Sequence, residues 1–127
     1  MAFTTYLQNK VLDHALAITT YVAPATVYVG LFTTATGIGG TGTEVSGGGY
    51  ARKAMAFGAA ASGTTDNSAT VEFDAATGSW GAITNTAIMD ALTGGNMLME
   101  DTLEASKAIG VGDVFRFQAG DFDVTLT

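Results

Sequence analysis

Gly37-Ile38-Gly39-Gly40-Thr41-Gly42-Thr43-Glu44-Val45-Ser46-Gly47-Gly48-Gly49-Tyr50-Ala51-Arg52 separates two apolar, strand-like runs, Val27 to Phe32 before it and Tyr50 to Phe57 after it. Seven of its sixteen residues are glycine, so the backbone can take positive φ almost throughout. The stretch reads as a long loop between strands, flexible in the free protein. Gly37, Gly39 and Gly42 spell G-x-G-x-x-G after a strand. A dinucleotide site also needs a helix opening at the last glycine, where the pyrophosphate would sit. Thr43 to Gly49 cannot open one, and no G-K-[ST] follows, so neither nucleotide motif is supported.

Outward from the loop, period-two alternation continues. Pro24 to Thr33 predicts a strand with Val27, Val29 and Leu31 on one face and Tyr28, Gly30 and Phe32 on the other. Ala69 to Asp74 directs Val71 and Phe73 inward. Trp80 to Met89 is a longer strand in which Ile83 and Ile88 share a face only if a bulge intervenes, with Gly81 as its marker. Leu92 to Asn96 is a hairpin loop and Met97 to Leu103 its return strand. Gly63 to Ser68 reads as a polar turn and Ala105 to Gly112 as a connection. Asp113 to Gln118 and Asp121 to Leu126 read as a final hairpin with Phe122, Val124 and Leu126 inward.

The other element is helical. Thr5-Tyr6-Leu7-Gln8 fits the S/T-x-x-E/Q capping box, which starts a helix at Tyr6. At about 100° per residue, Leu7, Val11, Ala15 and Ile18 fall in one arc that faces inward. Leu12 and Leu16 widen the apolar side beyond what one sheet contact needs. Pro24 stops the helix before Ala23. The expected fold is mainly β: an antiparallel β-sandwich of about seven strands over residues 25–127, with one N-terminal α-helix over about 5–19, in one domain spanning 1–127.

Composition narrows the function. Hydrophobic residues are 47 % and charged residues 13 %, against about 25 % in ordinary domains. A surface so poor in charge suits burial against neighbouring subunits, and a homo-oligomer, with three as its number, is expected. The net charge of −7 divides as +1 over residues 1–60 (Lys10, Arg52, Lys53 against Asp13, Glu44) and −8 over 61–127 (two cations against ten acids). Without a basic patch, nucleic-acid binding is not expected. No apolar run is long enough to span a membrane, and no basic n-region and apolar core mark a secretory signal.

Catalytic constellations are equally thin. His14 is the only histidine and Cys is absent, so no thiolate or multi-histidine metal site can form. Asp121 and Asp123 with Glu100 and Asp101 offer carboxylates without a D-x-[DN]-x-[DN]-G loop, and read as a solvated acidic face. Trp80, Tyr28 and Tyr50 could make a sugar-stacking platform, but strand aromatics are more often core. No catalytic residue, metal or cofactor is assigned.

Gly42 to Arg52 resembles a phrase of a family of small bacteriophage virion proteins, usually described as tail-fibre or minor tail proteins. Leu12-Asp13-His14, Pro24 to Thr33, and Asp90-Ala91-Leu92-Thr93-Gly94-Gly95-Asn96-Met97-Leu98 resemble others of its phrases, in the same order. So does the close, Gly112-Asp113 through Ala119-Gly120 to Val124-Thr125-Leu126. The resemblance implies a virion structural protein, not an enzyme, that associates with itself and docks to other virion proteins. Its alternatives are a head decoration or fibre protein, or a receptor- or glycan-binding β module. Candidate interaction residues are Leu12 and Leu16 on the helix, as an anchor, and Glu44, Val45, Tyr50 and Arg52 in the loop, as an adaptive contact.

Overall fold

The computed structural model describes residues 1–126. Strand β1 (Ala2–Phe3) leads into helix α1 (Thr5–Ala15). Then come β2 (Val27–Phe32), β3 (Lys53–Met55), β4 (Thr64–Asp66), β5 (Val71–Glu72), β6 (Gly81–Met89), β7 (Met97–Ile109), β8 (Arg116–Phe117) and β9 (Asp123–Thr125). Five strands form one antiparallel sheet in the order β1-β7-β6-β2-β3. The rest pair as two antiparallel ribbons, β4 with β9 and β5 with β8. The chain is thus mainly β with one helix, as its alternation predicts.

The sheet is held to the ribbons by an aromatic core. Phe73, 1 % exposed, lies 6.1 Å from Tyr50, 6.2 Å from Trp80 and 6.1 Å from Phe115, measured between ring centroids. Phe117 and Phe122 extend the cluster at 4.5 Å from each other. Most of these pairs are edge-to-face, the arrangement the ring quadrupoles favour. Val29, Leu31, Ile83 and Ile88 supply the sheet side of the same core.

Ile83 and Ile88 both reach that core because a bulge does intervene. Ile83 pairs with Lys107 and Asn85 with Thr102, so β6 advances two residues while β7 advances five. The irregularity falls at Thr84, not at Gly81, and the surplus chain lies in β7 between Thr102 and Lys107. Strand β7 therefore continues to Ile109, through part of the segment that reads locally as a connection.

The C-terminal segments do not form the expected hairpin. Residues 116–117 pair with 71–72, and 123–125 with 64–66, the latter inside the presumed polar turn. Asn67 divides them. Its side chain is 1 % exposed, donates from Nδ2 to Ala69 O at 3.0 Å and Gln118 O at 2.9 Å, and accepts the Phe122 N–H on Oδ1 at 2.9 Å. A buried amide with its bonds made on both sides of the Ala119-Gly120 turn holds the two segments to separate partners. Phe122 and Val124 are buried as their alternation predicts, whereas Leu126 is 55 % exposed.

The helix starts one residue earlier than the capping box implies. Thr4 is the N-cap: its Oγ1 accepts the Leu7 N–H at 3.4 Å and donates to Met97 O at 2.6 Å. Gln8 turns its amide to Phe3 O and closes no box. The other end comes earlier too, at Ala15. Ala17 has φ 62°, and Ile18 N–H bonds Asp13 O at 2.9 Å while Ala17 N–H bonds His14 O at 3.3 Å. This is a Schellman ending with alanine where glycine is usual. An L-residue in that conformation is strained, so Ala17→Gly is expected to raise stability by about 1 kcal/mol, or about 2–4 °C in Tm, in a thermal melt.

Candidate interaction surface

The six residues nominated by the sequence separate into two groups. Four of them converge beneath the glycine loop. The Arg52 guanidinium is 8 % exposed and forks onto Glu44, Nε to Oε2 and Nη2 to Oε1, both at 2.8 Å. Its Nη1 donates to Ala91 O at 2.7 Å and Gly94 O at 2.8 Å, carbonyls of the β6–β7 hairpin loop. Tyr50 donates its O–H to Glu44 Oε2 at 2.7 Å and accepts the Leu31 N–H at 3.0 Å. Val45 is buried, and its N–H bonds Leu31 O.

Two glycines make this possible. A Cβ on Gly30 would stand 3.0 Å from Glu44 Oε2, so the strand's interior glycine leaves room for the carboxylate. Gly48, at φ 59°, offers its carbonyl to Trp80 Nε1 at 2.8 Å, and a Cβ there would lie 2.9 Å from the indole. The loop is also tied at its tip, where Thr5 N–H bonds Ile38 O. These hydrogen bonds lace the stretch to β2, the helix and the hairpin. Tyr50 and Trp80 belong to this inner packing and present no stacking platform.

The charges respond accordingly. Burial alone would raise the Glu44 carboxyl, but the hydrogen bonds from Arg52 and Tyr50 outweigh it and hold it below the usual carboxylate range. Burial, together with the bond to Glu44, pushes the Tyr50 phenol well above its ordinary range, so it remains a donor. A carboxyl whose folded pKa is lowered adds stability above its unfolded value of about 4.3, and loses it as pH falls through the folded value. The gap in Tm between wild type and Glu44→Gln is therefore expected to be full at pH 7 and to narrow as pH falls below about 4. A gap constant from pH 7 to pH 2 would show that the carboxylate charge contributes nothing.

Leu12 and Leu16 lie elsewhere, in solvent. Leu12 is 56 % exposed and Leu16 68 %, followed by Ile18 at 73 % and Val22 at 82 %. Only Leu7 of the expected inward arc is fully buried; Val11 is half-buried, and Ala15 and Ile18 face water. The helix ending explains Ile18. A Schellman motif normally packs the residue after the left-handed position onto the one five before it, which here is Asp13. Asp13 offers no apolar partner, and Leu12, one position earlier, is itself 56 % exposed, so Ile18 remains open to solvent. Thr19 N–H to Asp13 O and Tyr21 N–H to His14 Nδ1, at 3.2 and 3.1 Å, then fold the segment back against the helix end. The lone histidine thus acts as an acceptor for the backbone. Leu12, Leu16, Ile18 and Val22 line an aliphatic strap, and no residue from Ala15 to Thr43 carries a charge. Sequence reasoning found its first two members. It missed Ile18 and Val22, because helical periodicity does not reveal where a helix stops.

Among the described residues, no three of His, Cys, Asp and Glu stand together as a metal could require. No described helix is long and apolar enough to cross a membrane. The sequence model of a family described as Podophage GP4 fiber I protein gp80 matches residues 2–125. The chain belongs to this podophage fibre family. The match takes in the helix, the strap, the glycine loop and both ribbons. Membership makes the chain a phage virion component of the fibre type, with a structural role and other virion proteins around it. No curated protein matches it.

Proposed function

We propose that this member of the fibre family is a non-enzymatic building block that associates with itself, as a trimer, and docks to other virion proteins through the strap of Leu12, Leu16, Ile18 and Val22. One observation carries the reading: four large aliphatic side chains, each more than half exposed, fall within residues 12–22, and no residue from Ala15 to Thr43 is charged. Exposed apolar side chains gathered in this way mark interaction sites in folded proteins. The charge distribution favours a copy of the same chain as one partner. Two chains of net −7 repel wherever their acids approach, and the uncharged run that carries Leu16, Ile18 and Val22 is where they can meet at least electrostatic cost. The glycine-loop residues Glu44, Val45, Tyr50 and Arg52 serve this reading indirectly, by holding the fold that displays the strap.

Sedimentation of the purified chain over a range of concentrations tests the reading. The expected result is reversible association to three copies that strengthens with added salt, since screening weakens the repulsion and leaves apolar burial intact. A monomer at all concentrations, with isolated copies on the particle, would refute self-association.

A further inference from the structure

Beside the strap lies a second apolar feature with no assigned role. Pro24, Val27, Met55, Phe57, Ala69 and Val71 are among the residues lining a groove of about 610 Å³, between the start of β2, the end of β3 and β5. None of its lining residues is charged. Its volume falls within the range of about 300–1,000 Å³ in which proteins hold apolar ligands or side chains. The chain's own strap does not fill it: Val22 is 82 % exposed although Pro24, two residues on, belongs to the groove wall. So one molecule carries an unfilled apolar groove and an uncovered aliphatic strap, joined at Ala23.

We propose that the groove receives the strap of a second copy, with Ile18 and Val22 of one chain seated against Val27, Ala56 and Phe57 of the next. The inference rests on the self-association reading and assigns its receiving surface. Charge selects this occupant. An acidic or basic segment would bring an unpaired charge onto a wall of Pro, Ala, Thr, Val, Met and Phe, which has nothing to pair with it. Of the nine large hydrophobic side chains exposed among the described residues, four fall between Leu12 and Val22, and the last three of these lie in the uncharged run from Ala15 to Thr43. Strap and groove are different patches, so the contact can close as a mutual exchange between two copies or, passed head-to-tail, as a ring of three. The ring suits the proposed trimer.

The chain has no cysteine, so single cysteines report the contact directly. Val22→Cys on the strap would be mixed in equal amounts with Ala56→Cys on the groove wall, or with Thr93→Cys on the remote hairpin loop, and treated with a short bismaleimide. All three positions are exposed. The expected result is a mixed cross-linked dimer of the Val22→Cys and Ala56→Cys chains at several times the yield obtained with Thr93→Cys. In parallel, Ala56→Asp is expected to weaken self-association at least about tenfold, by placing a carboxylate in a closed apolar contact. Its melting as a dilute monomer should be unchanged. Preferential linkage of the Val22→Cys chain to itself would overturn the groove assignment, because the straps would then meet each other, while leaving self-association standing. Unchanged association of Ala56→Asp would overturn it too. A chain that stays monomeric throughout would remove both readings.

Discussion

Replacing Arg52 by alanine is expected to cost about 3–5 kcal/mol of folding stability, measured by urea unfolding. The side chain makes four hydrogen bonds, two to the Glu44 carboxylate and two to the carbonyls of Ala91 and Gly94. Removing it strands a half-buried carboxylate and two loop carbonyls at once. Domains are stable by only about 5–15 kcal/mol, so the variant should sit near its unfolding threshold. Arg52→Lys should recover little. A point-charged ammonium cannot fork onto the carboxylate and reach the hairpin in the same geometry. The double variant Arg52→Ala with Glu44→Gln should cost clearly less than the two single losses combined, because the second change removes the charge the first one stranded. A loss below about 1 kcal/mol for Arg52→Ala would reduce the network to an ordinary surface ion pair.

The second large effect concerns assembly. Leu12→Ser combined with Leu16→Ser should leave monomer melting within about 0.5 kcal/mol of wild type, as expected for exposed positions. Self-association should weaken at least about thirtyfold. A fully buried leucine contributes roughly 1.5–3 kcal/mol, and about 1.4 kcal/mol is a factor of ten, so even partial burial of two leucines reaches that figure. Melting and sedimentation on the same preparation separate the alternatives. A sharp fall in Tm, with association tracking the surviving folded fraction, would make the two leucines core residues and end the anchor role. Loss of association at constant Tm is the expected outcome.

What the sequence determined by itself is local. The hairpin from Asp90 to Asn96 was legible because its chemistry is contiguous: Gly94 and Gly95 take φ of 62° and 72°, and Asp90 accepts from Asn96 N–H at 2.7 Å across the loop. The inward face of Val29 and Leu31, the burial of Phe73, the need for a bulge near Ile83 and the existence of one leading helix follow equally from neighbouring residues. The exposure of Leu12 and Leu16 was legible as an excess of apolar helix surface over what one contact could cover.

Tertiary structure decided the rest. Glu44, Tyr50 and Arg52 read as a loop contact for a partner because polar residues among glycines look exposed. They turn inward because Gly30, on a strand before the loop, leaves space for a carboxylate, and because two carbonyls 39 and 42 positions away need a donor. The ribbons were hidden for a similar reason. Strands of two or three residues have too little alternation to choose a partner, and the choice is made by Asn67 through bonds to residues 51 and 55 positions later. Local propensity fixes where the chain bends and which way side chains alternate. Which short segments pair, and which polar groups end up inside, depends on contacts between residues far apart in sequence, and these exist only once the core around Phe73 has closed.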